Sequence, residues 1–140
     1  MKTKLERMIC NLLCYDIDMI DLAGERLSSD DIKNLVVAIK EKSTINKLIL
    51  GGVVFGSDLK DDSMPYLASL LCDDRCLEYL DLRSNHITDQ GLDVLKRGLI
   101  NNHNLSFLDL RFNSISDCAV NKLVDELSIK NKQLTLAAGD

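Results

Sequence analysis

Residues 77–96 read LEYLDLRSNHITDQGLDVLK, and residues 105–124 read LSFLDLRFNSISDCAVNKLV. Twenty-eight residues separate Leu77 from Leu105, and at that offset Leu, Asp, Arg, Asn, Ile and Asp recur in register. The frame extends backward to INKLILGGVVF from Ile45 and IDMIDLAGERL from Ile17. Ile17 to Ile45 is again 28 residues, whereas Ile45 to Leu77 is 32, so the second unit carries about four extra residues, placed within GSDLKDDS. A period of this length predicts a stacked-repeat architecture.

Each unit opens on apolar-x-x-apolar-x-apolar: Ile17/Ile20/Leu22, Ile45/Leu48/Leu50, Leu77/Leu80/Leu82 and Leu105/Leu108/Leu110. Alternation at the centre of the frame predicts a short strand with one face inward. The second half of each unit switches to helical spacing. Ile32, Leu35 and Ile39 form one stripe, followed by Met64, Leu67 and Leu71, then Leu92, Leu95 and Leu99, then Val120, Leu123 and Leu127. Ser28-Ser29-Asp30, Thr88-Asp89 and Ser116-Asp117 carry helix-start chemistry, and Pro65 sits where a first helical turn tolerates it. A strand–helix unit cannot cover its own apolar face, but stacked units cover one another. Helices need roughly 10 Å of lateral space and strands about 4.8 Å, so such a stack bends with the sheet inside. The expected fold is therefore an α/β solenoid, a horseshoe with a concave parallel sheet and convex helices, built from about four repeats of 28–32 residues.

On these residues the chain resembles leucine-rich repeats of the ribonuclease-inhibitor type, over about residues 17–136 and most specifically in the last two units. The resemblance implies that Asn85 and Asn113 satisfy backbone groups in the turns; units one and two have Glu25 and Val53 there. The organisation expected is an N-terminal capping helix within residues 1–16, four repeats (17–44, 45–76, 77–104, 105–133), and a partial fifth strand with a tail over 134–140. Leu5, Met8, Ile9, Leu12 and Leu13 give the cap its apolar face, and Leu134 and Leu136 supply the last strand.

The chain has 140 residues, 46% hydrophobic, 28% charged and 4% aromatic, as a globular domain with layered aliphatic packing should. A net charge of −5 argues against nucleic acid and acidic lipid as partners, and no apolar run approaches the roughly 18 residues of a membrane span. The start, MKTKLERMICNLLCYD, lacks the apolar stretch and cleavage site of a secretory signal, so a cytoplasmic location is expected. Cys10, Cys14, Cys72, Cys76 and Cys118 form an odd set, read as small apolar side chains buried in a reducing compartment. A zinc site from the first four is allowed by spacing but lacks a zinc-knuckle context, so neither metal nor cofactor is expected.

No catalytic constellation stands out. His86 and His103 lie in a turn and a helix exit, Gly51-Gly52 opens no phosphate loop, and Asp61-Asp62 and Asp73-Asp74 read as solvated loop residues. The outward strand positions are more informative. Read across the units they give Met19, Lys47, Tyr79 and Phe107; then Asp21, Ile49, Asp81 and Asp109; then Ala23, Gly51, Arg83 and Arg111; then Gly24, Gly52, Ser84 and Phe112. Tyr and Arg are favoured interface anchors, and Phe adds apolar contact area. The Asp and Arg rows also suit a solvent-exposed lattice of alternating charge, each pair worth about 0–1 kcal/mol. Four short strands offer on the order of 300 Å² against the roughly 800 Å² of a standard interface half, so adjoining turns must contribute.

The expected function is non-enzymatic: binding of a protein partner through the concave sheet and its turns, at Met19, Asp21, Lys47, Tyr79, Asp81, Arg83, Phe107, Asp109, Arg111 and Phe112. Short stand-alone repeats rich in Ile, Lys and Asn also resemble effectors that intracellular bacteria inject to engage host proteins, which implies export into a host cytosol. Two alternatives remain. One is regulation of a GTPase, with Arg83 or Arg111 offering charge to a phosphate. The other is self-association through the C-terminal sheet edge of an otherwise monomeric chain.

Overall fold

The computed structural model describes residues 2–42, 44–51, 58–73, 76–130 and 134–139. Gly52 and Val53, and the first residues of the GSDLKDDS insertion, lie outside them. Helix α1 (Lys4–Cys14) leads into four strand–helix units: β1 (Met19–Asp21) with α2 (Ser29–Lys42), β2 (Lys47–Ile49) with α3 (Met64–Asp73), β3 (Tyr79–Asp81) with α4 (Asp89–Asn101), and β4 (Phe107–Asp109) with α5 (Asp117–Ile129). A 3₁₀ turn, Asp61–Ser63, runs directly into α3, and the described chain closes on β5 (Thr135–Ala137). All five strands are parallel and lie in sequence order.

Register is uniform across the sheet. Met19 lies beside Lys47, Lys47 beside Tyr79, Tyr79 beside Phe107 and Phe107 beside Thr135. The centre of each repeated frame (Ile20, Leu48, Leu80, Leu108) is fully buried against the helix layer. From the helices come Ile32, Leu35, Ile39, Met64, Leu67, Leu71, Leu92, Leu95, Leu99, Leu123 and Leu127, all in one contiguous core. Val120, expected on the last stripe, is only half-buried. Helix α4 meets α3 closely because Gly98 lies against Ala68: a β-carbon at position 98 would approach the Ala68 carbonyl oxygen to 2.4 Å.

Side chains tie each unit to its predecessor. Asn85 donates from Nδ2 to the carbonyls of Leu82 (3.0 Å) and Arg83 (3.2 Å) in its own turn, and more distantly to Leu50 (3.4 Å) in unit two. Its Oδ1 accepts from the Leu59 amide at 3.1 Å. Asn113 repeats the arrangement one unit on, donating to Leu110, Arg111 and Leu82 and accepting from the Ile87 amide. The ladder thus reaches back, so Asn85 also serves the turn of unit two.

A second ladder runs along the helix starts. Asp61 accepts from both the amide and the hydroxyl of Thr88, and Asp89 accepts from the amide and hydroxyl of Ser116, each bond at 2.7 Å in the latter pair. Asp61 is therefore a bonded tie between units, not the solvated loop residue its sequence context suggested. Thr88, expected as a hydroxyl cap, gives its hydroxyl to Asp61 instead, whereas Ser116 does cap α5 through the Ala119 amide. Accepting from the Ser116 hydroxyl and amide holds the Asp89 carboxyl below its usual range.

At the N-terminal end, Thr3 and Glu6 form a reciprocal capping box, and α1 packs on α2. Leu5 and Leu12 are buried and Met8 and Ile9 half-buried, but Leu13 points off that stripe and is exposed. The cysteines overturn the expectation of burial. Cys10, Cys14, Cys72 and Cys118 are exposed, because the helix faces they occupy turn away from the leucine stripe, and Cys76, beyond the end of α3, is intermediate.

Asn85 is buried and holds backbone groups of two units, whereas Asn113 is half-buried. Asn85→Ala should cost about 2–4 kcal/mol, the penalty of leaving several buried groups unpaired, and Asn113→Ala distinctly less. Urea midpoints at constant slope would check the order. Because the folded Asp89 pKa is depressed, its contribution is present above its ordinary value near 4 and lost as pH falls through the lower folded value. Ser116→Ala should accordingly show a shallower loss of stability below about pH 4 in acid titrations followed by circular dichroism.

Candidate protein-binding face

The strands are short, so each contributes two outward side chains and one residue at its exit. Along the first row the side chains touch. The Tyr79 and Phe107 rings stack with centroids 4.8 Å apart and planes 14° from parallel. Lys47 places its ammonium over the opposite side of the Tyr79 ring, 4.6 Å from its centroid. Met19 continues the row as an exposed thioether, and Thr135 ends it. The result is a flat strip, apolar at its centre and flanked by one cation.

The second and third rows interlock. Asp81 and Asp109 are each 1% exposed, the deepest polar groups on this side of the sheet. Each accepts from the backbone amide two residues on and from the guanidinium of that same residue: Arg83 Nε and Nη2 on Asp81, and Arg111 Nε and Nη2 on Asp109. Arg83 also reaches across to Asp109, its Nε 3.3 Å from Oδ2. Anions and cations thus alternate across two strands as Asp81, Arg83, Asp109, Arg111. The lattice anticipated from the sequence is present, but it is not spread evenly in solvent. Its aspartates are sealed beneath while the arginine side chains stay 31% and 41% exposed. The Asp81 hydrogen bond raises the Arg83 pKa against the opposing effect of burial, and the Asp109 bond raises that of Arg111.

Units one and two differ. Asp21 accepts from the Ala23 amide as its counterparts do, but Ala23 offers no guanidinium and Asp21 remains exposed. Ile49 replaces the aspartate in unit two, and Gly51 follows it. No side chain fits at Gly51, because a β-carbon there would fall 1.9 Å from the Arg83 carbonyl oxygen.

Strand exits turn through positive φ: 78° at Gly24, 57° at Ser84 and 60° at Phe112. For a phenylalanine this conformation is costly, by about 1–2 kcal/mol. Its ring nevertheless stands 52% exposed beside the Arg111 end of the lattice. Of the residues singled out in the sequence, the structure joins Lys47, Tyr79 and Phe107 in one contact strip and Asp81, Arg83, Asp109 and Arg111 in another. Met19 and Asp21 lie on the unit-one side, and Phe112 lies at the exit of unit four. Sequence reasoning missed that the aspartates hold the arginines from below; the Asp-x-Arg spacing on an outward strand face was the available signal.

Elsewhere, a cleft of about 380 Å³ between α4 and α5 is lined by Asp89, Asp93, Lys96, Ser116 and Lys122 among others. Its groups are largely engaged: Lys96 bridges Asp93 and Glu126, and Asp89 holds Ser116. Among the described residues, no three His, Cys, Asp or Glu side chains converge as metal ligands would. No helix in the described residues is long and apolar enough to cross a membrane.

Residues 73–96 and 101–120 match the family model described as leucine rich repeat. With the five-stranded parallel sheet and its helix layer, this defines the fold as a leucine-rich-repeat solenoid. No curated protein matches the chain in sequence. Among solved structures, actin-binding site 2 of leiomodin-1 superposes with a TM-score of 0.74 at 19% identity, over 96% of this chain and 76% of that one. The C-terminal domain of tropomodulin from Caenorhabditis elegans gives 0.79 at 18% identity, over 99% and 83%. At such identities the likeness is one of fold.

The buried position of Asp81 makes its partner consequential. Arg83→Ala should destabilise by about 2–3 kcal/mol, below the full cost of orphaning a buried charge because the guanidinium is partly solvated. Replacing Asp81 and Arg83 together by leucine should recover part of that loss in a double-mutant cycle read by chemical denaturation.

Proposed function

We propose that this chain is a non-enzymatic protein-interaction module that binds a protein partner through the concave sheet and adjoining turns. The observation that carries the reading is the pairing of an aromatic strip, Tyr79 on Phe107, with outward arginines on buried carboxylates. Rigid aromatic and guanidinium groups lose little freedom on binding, which is why such residues dominate interface energetics. Phe112 extends the surface toward the turns, and its strained backbone accords with a side chain kept for contact rather than for folding.

Actin is the first partner to test, because the leiomodin-1 structure sharing this fold is an actin-binding site. Delivery as a bacterial effector is a separate reading, supported by the Ile-, Lys- and Asn-rich composition, and a translocation assay addresses it directly. Pull-down against actin and against cell lysates should compare wild type with Tyr79→Ser/Phe107→Ser, folding being verified by circular dichroism. The reading expects a partner captured by wild type and lost, at least tenfold, by the variant. A partner retained equally by both would remove the concave face from the interaction.

Phe112→Gly separates binding from folding. Glycine adopts the required φ without strain, so thermal stability should hold or rise, by up to about 1 kcal/mol. Partner capture should fall.

A further inference from the structure

We infer that the concave face takes an acidic, apolar peptide segment, with a carboxylate of that segment seated on Arg83 and Arg111 and an aromatic or aliphatic side chain on Tyr79 and Phe107. The inference rests on the reading of this face as the docking surface and specifies what docks there.

Charge placement is the first argument. The chain as a whole carries −5, so an acidic partner would be repelled by its average surface. Over units three and four the charges are layered in depth. Asp81 and Asp109 are 1% exposed, whereas the arginines they hold are 31% and 41% exposed. An approaching group meets guanidinium first, and Lys47 adds a third cation on the same face. The unit-one side presents the opposite sign, with Asp16, Asp18 and Asp21 all exposed. A carboxylate is therefore directed to units three and four and away from unit one.

Donor geometry is the second. Arg83 and Arg111 spend Nε and Nη2 on the aspartates, and among the described residues Nη1 of each makes no hydrogen bond. The two sit in register on neighbouring strands, about 4.8 Å apart in backbone, so one carboxylate between them can accept from both. The carboxylates beneath fix the guanidinium planes in advance, which removes much of the ordering cost of binding.

Spacing is the third. Arg83 and Arg111 lie four residues beyond Tyr79 and Phe107, but each guanidinium folds back over the carboxylate only two residues from the ring, about 7 Å along the strand. A partner meets both with an acidic and an apolar side chain two positions apart in an extended segment, or three to four apart on a helix.

The test uses the intact protein and random twelve-residue peptides displayed on phage. Recovered peptides are synthesised as found and with every Asp and Glu replaced by Asn and Gln. Binding is then measured to wild type, to Arg83→Gln/Arg111→Gln, and to Phe107→Ser. A third variant, Asp81→Asn/Arg83→Gln/Asp109→Asn/Arg111→Gln, keeps the lattice sites polar without leaving a buried charge, in case the double variant does not fold. The expected result is enrichment of Asp or Glu at the stated spacing from an aromatic or leucine. Amide replacement in the peptide, or loss of the two arginines, should weaken binding at least tenfold. Neutral or basic peptides that ignore both changes yet are lost by Phe107→Ser would overturn the acidic-segment inference and leave the docking face standing. Peptides indifferent to Phe107→Ser and to the arginine changes would overturn both. Recovery of no peptide would overturn the inference as well, since a preformed site of this kind should select its ligand.

Discussion

Uniform register between parallel strands is the constraint on which everything else here depends. Because each unit sits directly beside the last, residue types stack on their own kind: leucine on leucine inside, Tyr79 on Phe107 and Asp81 beside Asp109, and, where backbone bonds continue the pairing past the strand ends, Arg83 beside Arg111. For apolar and aromatic side chains such stacking is favourable. For charges it sets like beside like at about 4.8 Å, a repulsion that must be offset by opposite charge placed along the strand. The Asp-x-Arg pairing does this. It folds each guanidinium back over the carboxylate two residues earlier, and Arg83 then links one pair to the next through Asp109.

The backbone faces a matching problem where strands end and helices begin. Polar groups there are half sheltered and need partners that recur with the repeat. Asn85 and Asn113 supply them on one side of each turn, and the Asp61–Thr88 and Asp89–Ser116 bonds supply them at the helix starts. Each of these residues makes at least one bond that crosses from its unit to the neighbour. Cohesion between units is therefore polar at the rims and aliphatic at the centre, as expected of a solenoid whose units have no separate stability.

Much of the fold was legible because one period fixes two alternations. The leucine frame located every strand, including the fifth, and the 3.6-residue stripes located every helix core. What stayed hidden were properties of direction. Spacing alone placed Asp81 and Arg83 on one face, but it did not show that the shorter side chain would end up beneath the longer one. Nor did it show that Ser84 and Phe112 adopt positive φ, since only glycine at position 24 announces that conformation. Asp61 was misread because its partner, Thr88, is a unit away, and Cys10, Cys14, Cys72 and Cys118 because a small apolar residue on a helix carries no signal of which side it faces.

The central claim is that two arginines are held outward and rigid by carboxylates sealed below them, and solution NMR of the arginine side chains tests it most directly. The account predicts that the Nε–H groups of Arg83 and Arg111 give resolved resonances, shifted from the exposed-arginine average, in slow exchange with water and with high order parameters. Both signals at the averaged position with rapid exchange would contradict it, for then the guanidiniums move freely and the face has no fixed cation pair to offer.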